Sequence, residues 1–129
     1  MNSMKTTEIS IAIVKNADNQ FLISLRAKDV HQGGKWEFPG GKVEQGEQPE
    51  QAMCRELVEE VGLIAVDYQL LETKFFDYGD AALNLHFYLV TDFTGIARGK
   101  EGQPINWVSK TELADYEFPK ANQSVIDTL

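Results

Sequence analysis

The stretch from Gly41 to Leu63, GKVEQGEQPEQAMCRELVEEVGL, decides how this chain is read. Pro49 suits the first turn of a helix, where its missing N–H is not needed. Glu47 and Glu50 stand near the positive end of the helix dipole, and Gly62 supplies a stop. A helix is therefore predicted over roughly residues 49–61. It carries Glu56, Glu59 and Glu60. Residues three and four apart on a helix share a face, so Glu56 and Glu60 stack and Glu59 flanks them. Like charges at that spacing cost an isolated helix ~0.2–0.5 kcal/mol per pair. A helix built only for stability avoids this. A site for a hard divalent cation uses it, because Mg²⁺ takes carboxylate oxygens and shares its other positions with phosphates and water. Cys54, Leu57, Val58 and Val61 form an apolar stripe, expected roughly opposite the glutamates. Upstream, Phe38-Pro39-Gly40-Gly41-Lys42 reads as a turn whose glycines let backbone groups approach a metal or phosphate.

An acidic run alone is ordinarily a solvated helix face. Here Gly41, Glu47, Arg55, Glu56, Leu57, Glu59, Glu60, Gly62 and Leu63 stand in fixed register. This pattern resembles the Nudix box at every constrained position. Lys35–Lys42, Gly99-Lys100-Glu101-Gly102-Gln103-Pro104 and Phe118-Pro119-Lys120-Ala121-Asn122 extend the resemblance over nearly the whole chain. They are similar to segments of the Nudix hydrolases that remove oxidised guanine nucleotides from the precursor pool. The resemblance implies an α/β chain with the Nudix α/β/α sandwich and a mixed β-sheet, as one domain over 1–129.

It also implies Mg²⁺-dependent hydrolysis of 8-oxo-dGTP to 8-oxo-dGMP and pyrophosphate, by water attack at the β-phosphorus, with Mn²⁺ as a substitute metal. The implied metal ligands are the Gly40 carbonyl, Glu56, Glu59, Glu60 and Glu101. Glu56 and Glu101 are both candidates for the base, and Glu56 is favoured. Arg55 and Glu47 are expected to form a structural pair. Substrate contacts fall on Arg26, His31, Glu37, Phe38, Pro39, Gly40 and Asn122. The planar fork of Arg26 suits bidentate phosphate binding; as a residue alone it reads as a surface arginine. Asn122 alone reads as a helix cap. Its chemistry supports more. Oxidation at C8 turns guanine N7 from an acceptor into a donor, and a primary amide accepts from N7–H while donating to O6. Phe38 and Leu83 are expected pocket walls, and Trp36 and Trp107 core residues. The family pattern carries an arginine after the loop aspartate, where this chain reads Asp80-Ala81-Ala82. Two other readings stand beside this one. The first is a Nudix hydrolase of another nucleotide or a dinucleoside polyphosphate. The second is a non-catalytic nucleotide sensor, which intact box glutamates disfavour.

Composition agrees. A chain of 129 residues, 43% hydrophobic, can bury a core without disulfides. Cys54 is the only cysteine, and its place on the stripe predicts a buried thiol in a reducing cytoplasm. The net charge of −8 argues against binding nucleic-acid polymers. No segment has the run of apolar residues a membrane span needs. The expected partner is a small nucleotide, with no membrane, and the expected state is a monomer. Residues 41–63 hold six Glu against Lys42 and Arg55. An anionic substrate is repelled there unless a cation accompanies it.

Elsewhere, Ile9, Ile11 and Ile13 read as a strand, Asn16–Gln20 as a turn and Phe21–Leu25 as its hairpin partner. Tyr68–Tyr78 and Leu83–Phe93 read as long strands joined at Gly79-Asp80. Ile105–Val108 reads as a short strand. Ser109–Tyr116 reads as a helical turn and Pro119–Leu129 as a final helix.

Overall fold

The computed structural model describes residues 6–27, 33–79 and 81–129. In chain order it comprises β1 (Thr6–Val14), β2 (Gln20–Leu25), β3 (Trp36–Glu37), β4 (Gly40–Lys42), α1 (Pro49–Val61), β5 (Ile64–Asp77), β6 (Ala82–Thr94), β7 (Ile105–Ser109), a 3₁₀ turn (Glu112–Asp115) and α2 (Lys120–Ile126). A four-stranded sheet runs β4-β1-β6-β5 and a three-stranded sheet runs β3-β2-β7. β1 and β6 are parallel; β1–β4 and β5–β6 are antiparallel.

The apolar run of β1 explains its central place. Ile11 and Ile13 enter one cluster with Phe21, Ile23, Phe38, Phe87 and Phe118. Ala12 and Val14 enter another with Met53, Leu57, Val61 and Tyr88. The strand is buried on both faces, so it needs no polar alternation.

The expected hairpin between β1 and β2 is corrected. The Asn16 turn exists: its Oδ1 accepts from the N–H of Asp18 (3.0 Å) and of Gln20 (2.9 Å). Pairing between the two segments stops at the bridge Lys15–Phe21 and the turn bond from the Asn16 N–H to the Gln20 carbonyl at 3.0 Å. β1 already has β4 on one edge and β6 on the other, so its ladder has no free side. β2 instead pairs with β3 and β7.

Helix α1 begins and ends as its sequence dictates. The Gln48 N–H donates to Gln51 Oε1 at 2.8 Å, and Gly62 ends the helix at φ 75°, where a Cβ is penalised. Its buried face differs from the expected stripe. Ala52, Met53, Leu57 and Val61 are buried, while Val58 is 40% exposed and Cys54 only half-buried. Successive residues are 100° apart on a helix. Turning the stripe toward Ala52 and Met53 brings the 52-56-60 row into the protein and moves 54 and 58 outward. Glu56 and Glu60 therefore lie beside the core stripe, not opposite it. Trp36 and Trp107, expected in the core, are half-buried and pack against the edges of the two clusters.

Candidate active site

Glu60 is strongly perturbed. One carboxylate oxygen accepts from the Gly40 N–H at 3.0 Å. Burial, then the neighbouring Glu56 carboxylate and the charge of Glu37, push its pKa up to about 9. Glu37 is itself raised by burial, against the Arg26 guanidinium, with Glu101 adding to the rise. Glu56 and Glu37 thus act on Glu60, and Glu101 on Glu37, although these residues come from α1, β3 and the loop before β7. Glu56 also presses against the backbone of Gly41. A Cβ there would lie 2.5 Å from its carboxylate, so a side chain at position 41 would displace the Glu56 carboxylate.

Two arginines serve this cluster. Arg26 Nη1 donates to Glu37 Oε1 at 2.7 Å. Arg55 holds Glu47 with two bonds, Nε to Oε2 at 2.8 Å and Nη2 to Oε1 at 3.0 Å. Its Nη1 donates to Glu56 at 2.6 Å and Glu59 at 3.2 Å, and Nη2 reaches the Lys42 carbonyl at 3.0 Å. The fork thus spans the loop and the helix and fixes Glu56. The Arg55 hydrogen bonds hold the Glu47 pKa down to about 2. A depressed carboxylate contributes stability above its unfolded pKa and loses it as pH falls through the folded one. The Glu47→Gln variant is accordingly expected to have a lower denaturation midpoint at neutral pH. The gap should close as pH drops from about 4.5 toward 2. A gap independent of pH over that range would remove the ion-pair explanation.

Among the described residues, no three His, Cys, Asp or Glu side chains already surround a common point. Glu59 is 54% exposed and turned to Arg55, and Glu101 is exposed. Yet the Glu60 carboxylate is half-buried and crowded by the Glu56 and Glu37 carboxylates, with the Gly40 N–H as its backbone donor. That chemistry fits a divalent cation. Of Gly40, it is the N–H that meets Glu60; the carbonyl is a separate group of the same residue.

Beside the carboxylates opens a cleft of about 270 Å³. Its walls include Phe38, Leu83, Ile9, Leu85 and Ala121, and Arg26, Glu37, Gly40 and Asn122 supply polar groups to its lining. Phe38 stacks on Phe118, centroids 5.4 Å apart, and the Trp36 N–H bonds the Glu117 carbonyl at 2.8 Å. These contacts dock the start of α2 against β3 and bring Asn122 to the cleft. Asn122 is 7% exposed. It is not the helix cap, since Pro119 holds the N-cap position and makes no side-chain bond. No hydrogen bond from its own side chain is present among the described residues. Pro39 lies between Phe38 and Gly40, and its carbonyl accepts from the Ala12 N–H at 2.7 Å. His31 lies outside the described residues.

Sequence reasoning missed the carboxylate role of Glu37, whose side chain joins the acidic cluster, and the cleft position of Ile9, Lys42 and Tyr78. The alternation of Ile9 with Ile11 held the signal for one wall. The signal for Glu37 was absent, because it depends on a neighbour 23 positions away.

This combination of fold and site agrees with the comparisons. The NUDIX domain profile matches residues 10–128. The chain belongs to the Nudix family, whose hydrolases generally need a divalent metal. It is 44% identical over 126 residues to the 8-oxo-dGTP diphosphatase of Escherichia coli strain K12, covering 98% of each chain. The CTP pyrophosphohydrolase of the same organism is 33% identical, with 96% of this chain and 91% of the relative covered. A solved structure from work on MutT of Aliivibrio salmonicida and Vibrio cholerae matches with TM-score 0.87 and 43% identity, covering 96% of each chain. No helix among the described residues is long and apolar enough to cross a membrane.

Proposed function

We propose that this protein hydrolyses 8-oxo-dGTP to 8-oxo-dGMP and pyrophosphate with Mg²⁺, Mn²⁺ serving in its place. The observation that carries the reading is the buried Asn122 amide facing an apolar cleft that opens beside the Glu37–Glu56–Glu60 carboxylates. Full-length likeness to an 8-oxo-dGTP diphosphatase supports it. Glu56, Glu59, Glu60, Glu101 and the Gly40 carbonyl would hold the metal. When bound, the cation supplies charge neutralisation on the phosphates and polarises the phosphoanhydride.

The chain's own groups do the rest. The Gly40 N–H fixes Glu60, and Arg55 fixes Glu56. Glu56 takes the proton of the attacking water as general base, with Glu101 the alternative. Attack at the β-phosphorus releases the nucleoside monophosphate. Arg26 offers its fork to phosphate, exchanging part of its bond to Glu37. His31, Phe38 and Pro39 complete the nucleotide contacts. Asn122 accepts from N7–H of the oxidised base and donates to O6. The protein acts as a cytoplasmic monomer on free nucleotides; its charge of −8 disfavours polymer phosphates.

A substrate panel with pyrophosphate detection tests this, run with and without Mg²⁺. Metal-dependent preference for 8-oxo-dGTP over dGTP is expected. Preference for CTP or a dinucleoside polyphosphate would overturn the substrate assignment.

The loop at Ala81 gives a second test. The Tyr78 N–H bonds the Ala81 carbonyl at 2.8 Å, and Tyr78 lines the cleft, so the turn borders the nucleotide. Ala81→Arg is expected to tighten nucleotide binding, mostly through KM. A charge-assisted hydrogen bond contributes ~1.5–3 kcal/mol, less the entropy of ordering the side chain. Unchanged 8-oxo-dGMP affinity by calorimetry would show that an arginine at this turn does not reach the ligand.

A further inference from the structure

The last-turn carbonyls of a helix have no partner within it. In α1 the loop 95–104 takes them. The Arg98 N–H donates to the Val61 carbonyl at 3.0 Å, and the Lys100 N–H to the Glu60 carbonyl at 3.0 Å. Lys100 Nζ reaches the Val58 carbonyl at 3.4 Å. One side chain does more than cap. Gln103 Nε2 donates to the Glu60 carbonyl at 3.0 Å, and its Oε1 accepts from the Glu101 N–H at 2.9 Å. A single amide therefore ties the backbone of Glu60, on the helix, to the backbone of Glu101, 41 positions later. The Gly102 N–H closes the turn onto the Gly99 carbonyl at 3.0 Å.

We infer that Gln103 is a positioning residue that sets Glu101 in register with the Glu56–Glu60 pair. The inference rests on Glu101 belonging to the reaction machinery as proposed above. The Glu101 side chain is exposed, and among the described residues no hydrogen bond or ion pair holds its carboxylate. Its direction is therefore set by its backbone, and Gln103 fixes that backbone to the helix bearing the other carboxylates. The amide needs both ends. A side chain that only accepts leaves the Glu60 carbonyl to the Lys100 N–H alone; one that only donates leaves the Glu101 N–H without this acceptor. Misplacing a reacting group by about 1 Å costs up to ~10²-fold in rate, and loss of a supporting partner around a ligand set typically costs 10–100-fold, roughly.

The test is a cycle of Gln103→Leu and Glu101→Gln, with Gln103→Glu as a variant of nearly native shape that keeps only the acceptor. Gln103→Leu and Gln103→Glu are both expected to lower kcat, by roughly 10-fold or more for Leu, with KM little changed. In the Glu101→Gln background the Leu substitution is expected to have little further effect on kcat, because the group it positions is already gone. An equal fall in kcat in both backgrounds, following a fall in the denaturation midpoint, would overturn the inference and leave Gln103 as a helix cap. Full turnover by Glu101→Gln alone would overturn the role of Glu101 itself, so the two failures are distinguishable.

Discussion

Replacing Glu60 by Gln is expected to nearly abolish turnover while making the metal-free protein more stable. The two effects come from one arrangement. Glu60 is held at the Gly40 N–H and crowded by Glu56 and Glu37. Loss of a carboxylate in such a set costs on the order of 10²–10⁴-fold in rate. The stability effect has the opposite sign. The folded protein, with its pKa near 9, holds the Glu60 proton more tightly than the unfolded chain does. Stability of the metal-free protein is therefore greatest below the ordinary value of 4.5 and falls as pH rises toward 9. Glutamine cannot ionise and escapes the penalty. At neutral pH the gain is on the order of 1–3 kcal/mol, as an upper range for a group sharing its charge with neighbours. Denaturation midpoints in chelator, at about pH 5 and about pH 8, check it. The variant should gain more at the higher pH. Normal turnover at ordinary Mg²⁺ would retire Glu60 as a metal ligand, and a uniform loss of stability would retire the crowding.

Asn122→Ala is expected to erase much of the preference for 8-oxo-dGTP over dGTP while sparing the cleavage step. The amide oxygen meets an N–H donor at N7 of the oxidised base and a lone pair in the normal one. Leaving a buried polar partner unpaired costs ~1–3 kcal/mol, and that is the part of the discrimination at stake. The competing reading of Asn122 as a helix cap would cost stability, about 0.5–2 kcal/mol. The structure gives that position to Pro119, so the denaturation midpoint should move little. Measuring kcat/KM for both nucleotides alongside that midpoint separates the readings. A preserved substrate ratio would end the recognition role of Asn122, whatever the midpoint does.

Much of the site was legible because it is local. The i,i+4 pair of Glu56 and Glu60, the stop at Gly62 and the Arg55–Glu47 pair are encoded within a few residues or one short loop. Helix period and capping translate such spacing directly into geometry. The direction of the α1 face was not legible. The residues 52–61 offer two nearly equivalent apolar stripes, one through Met53 and one through Cys54, and the sequence favours the wrong one. The choice belongs to β1 and β6, whose Ala12, Val14, Tyr88 and Val90 receive Met53, Leu57 and Val61.

The sequence by itself determined the family, the metal-ready helix and the strands β1, β2, β5, β6 and β7, because each depends on residue types at fixed short intervals; β3 and β4 were not read, and β4 falls where the sequence suggests a turn. Tertiary structure decided what those parts do to one another. Central placement of β1 between β4 and β6 filled both its edges and sent β2 to a second sheet. The same packing sank Glu60 into the protein, brought Glu37 into its field and Glu101 into that of Glu37, and let Gln103 join the helix to the loop. Burial and electrostatics depend on distance in space, and the contacts that set them here join residues tens of positions apart, beyond the reach of any local pattern.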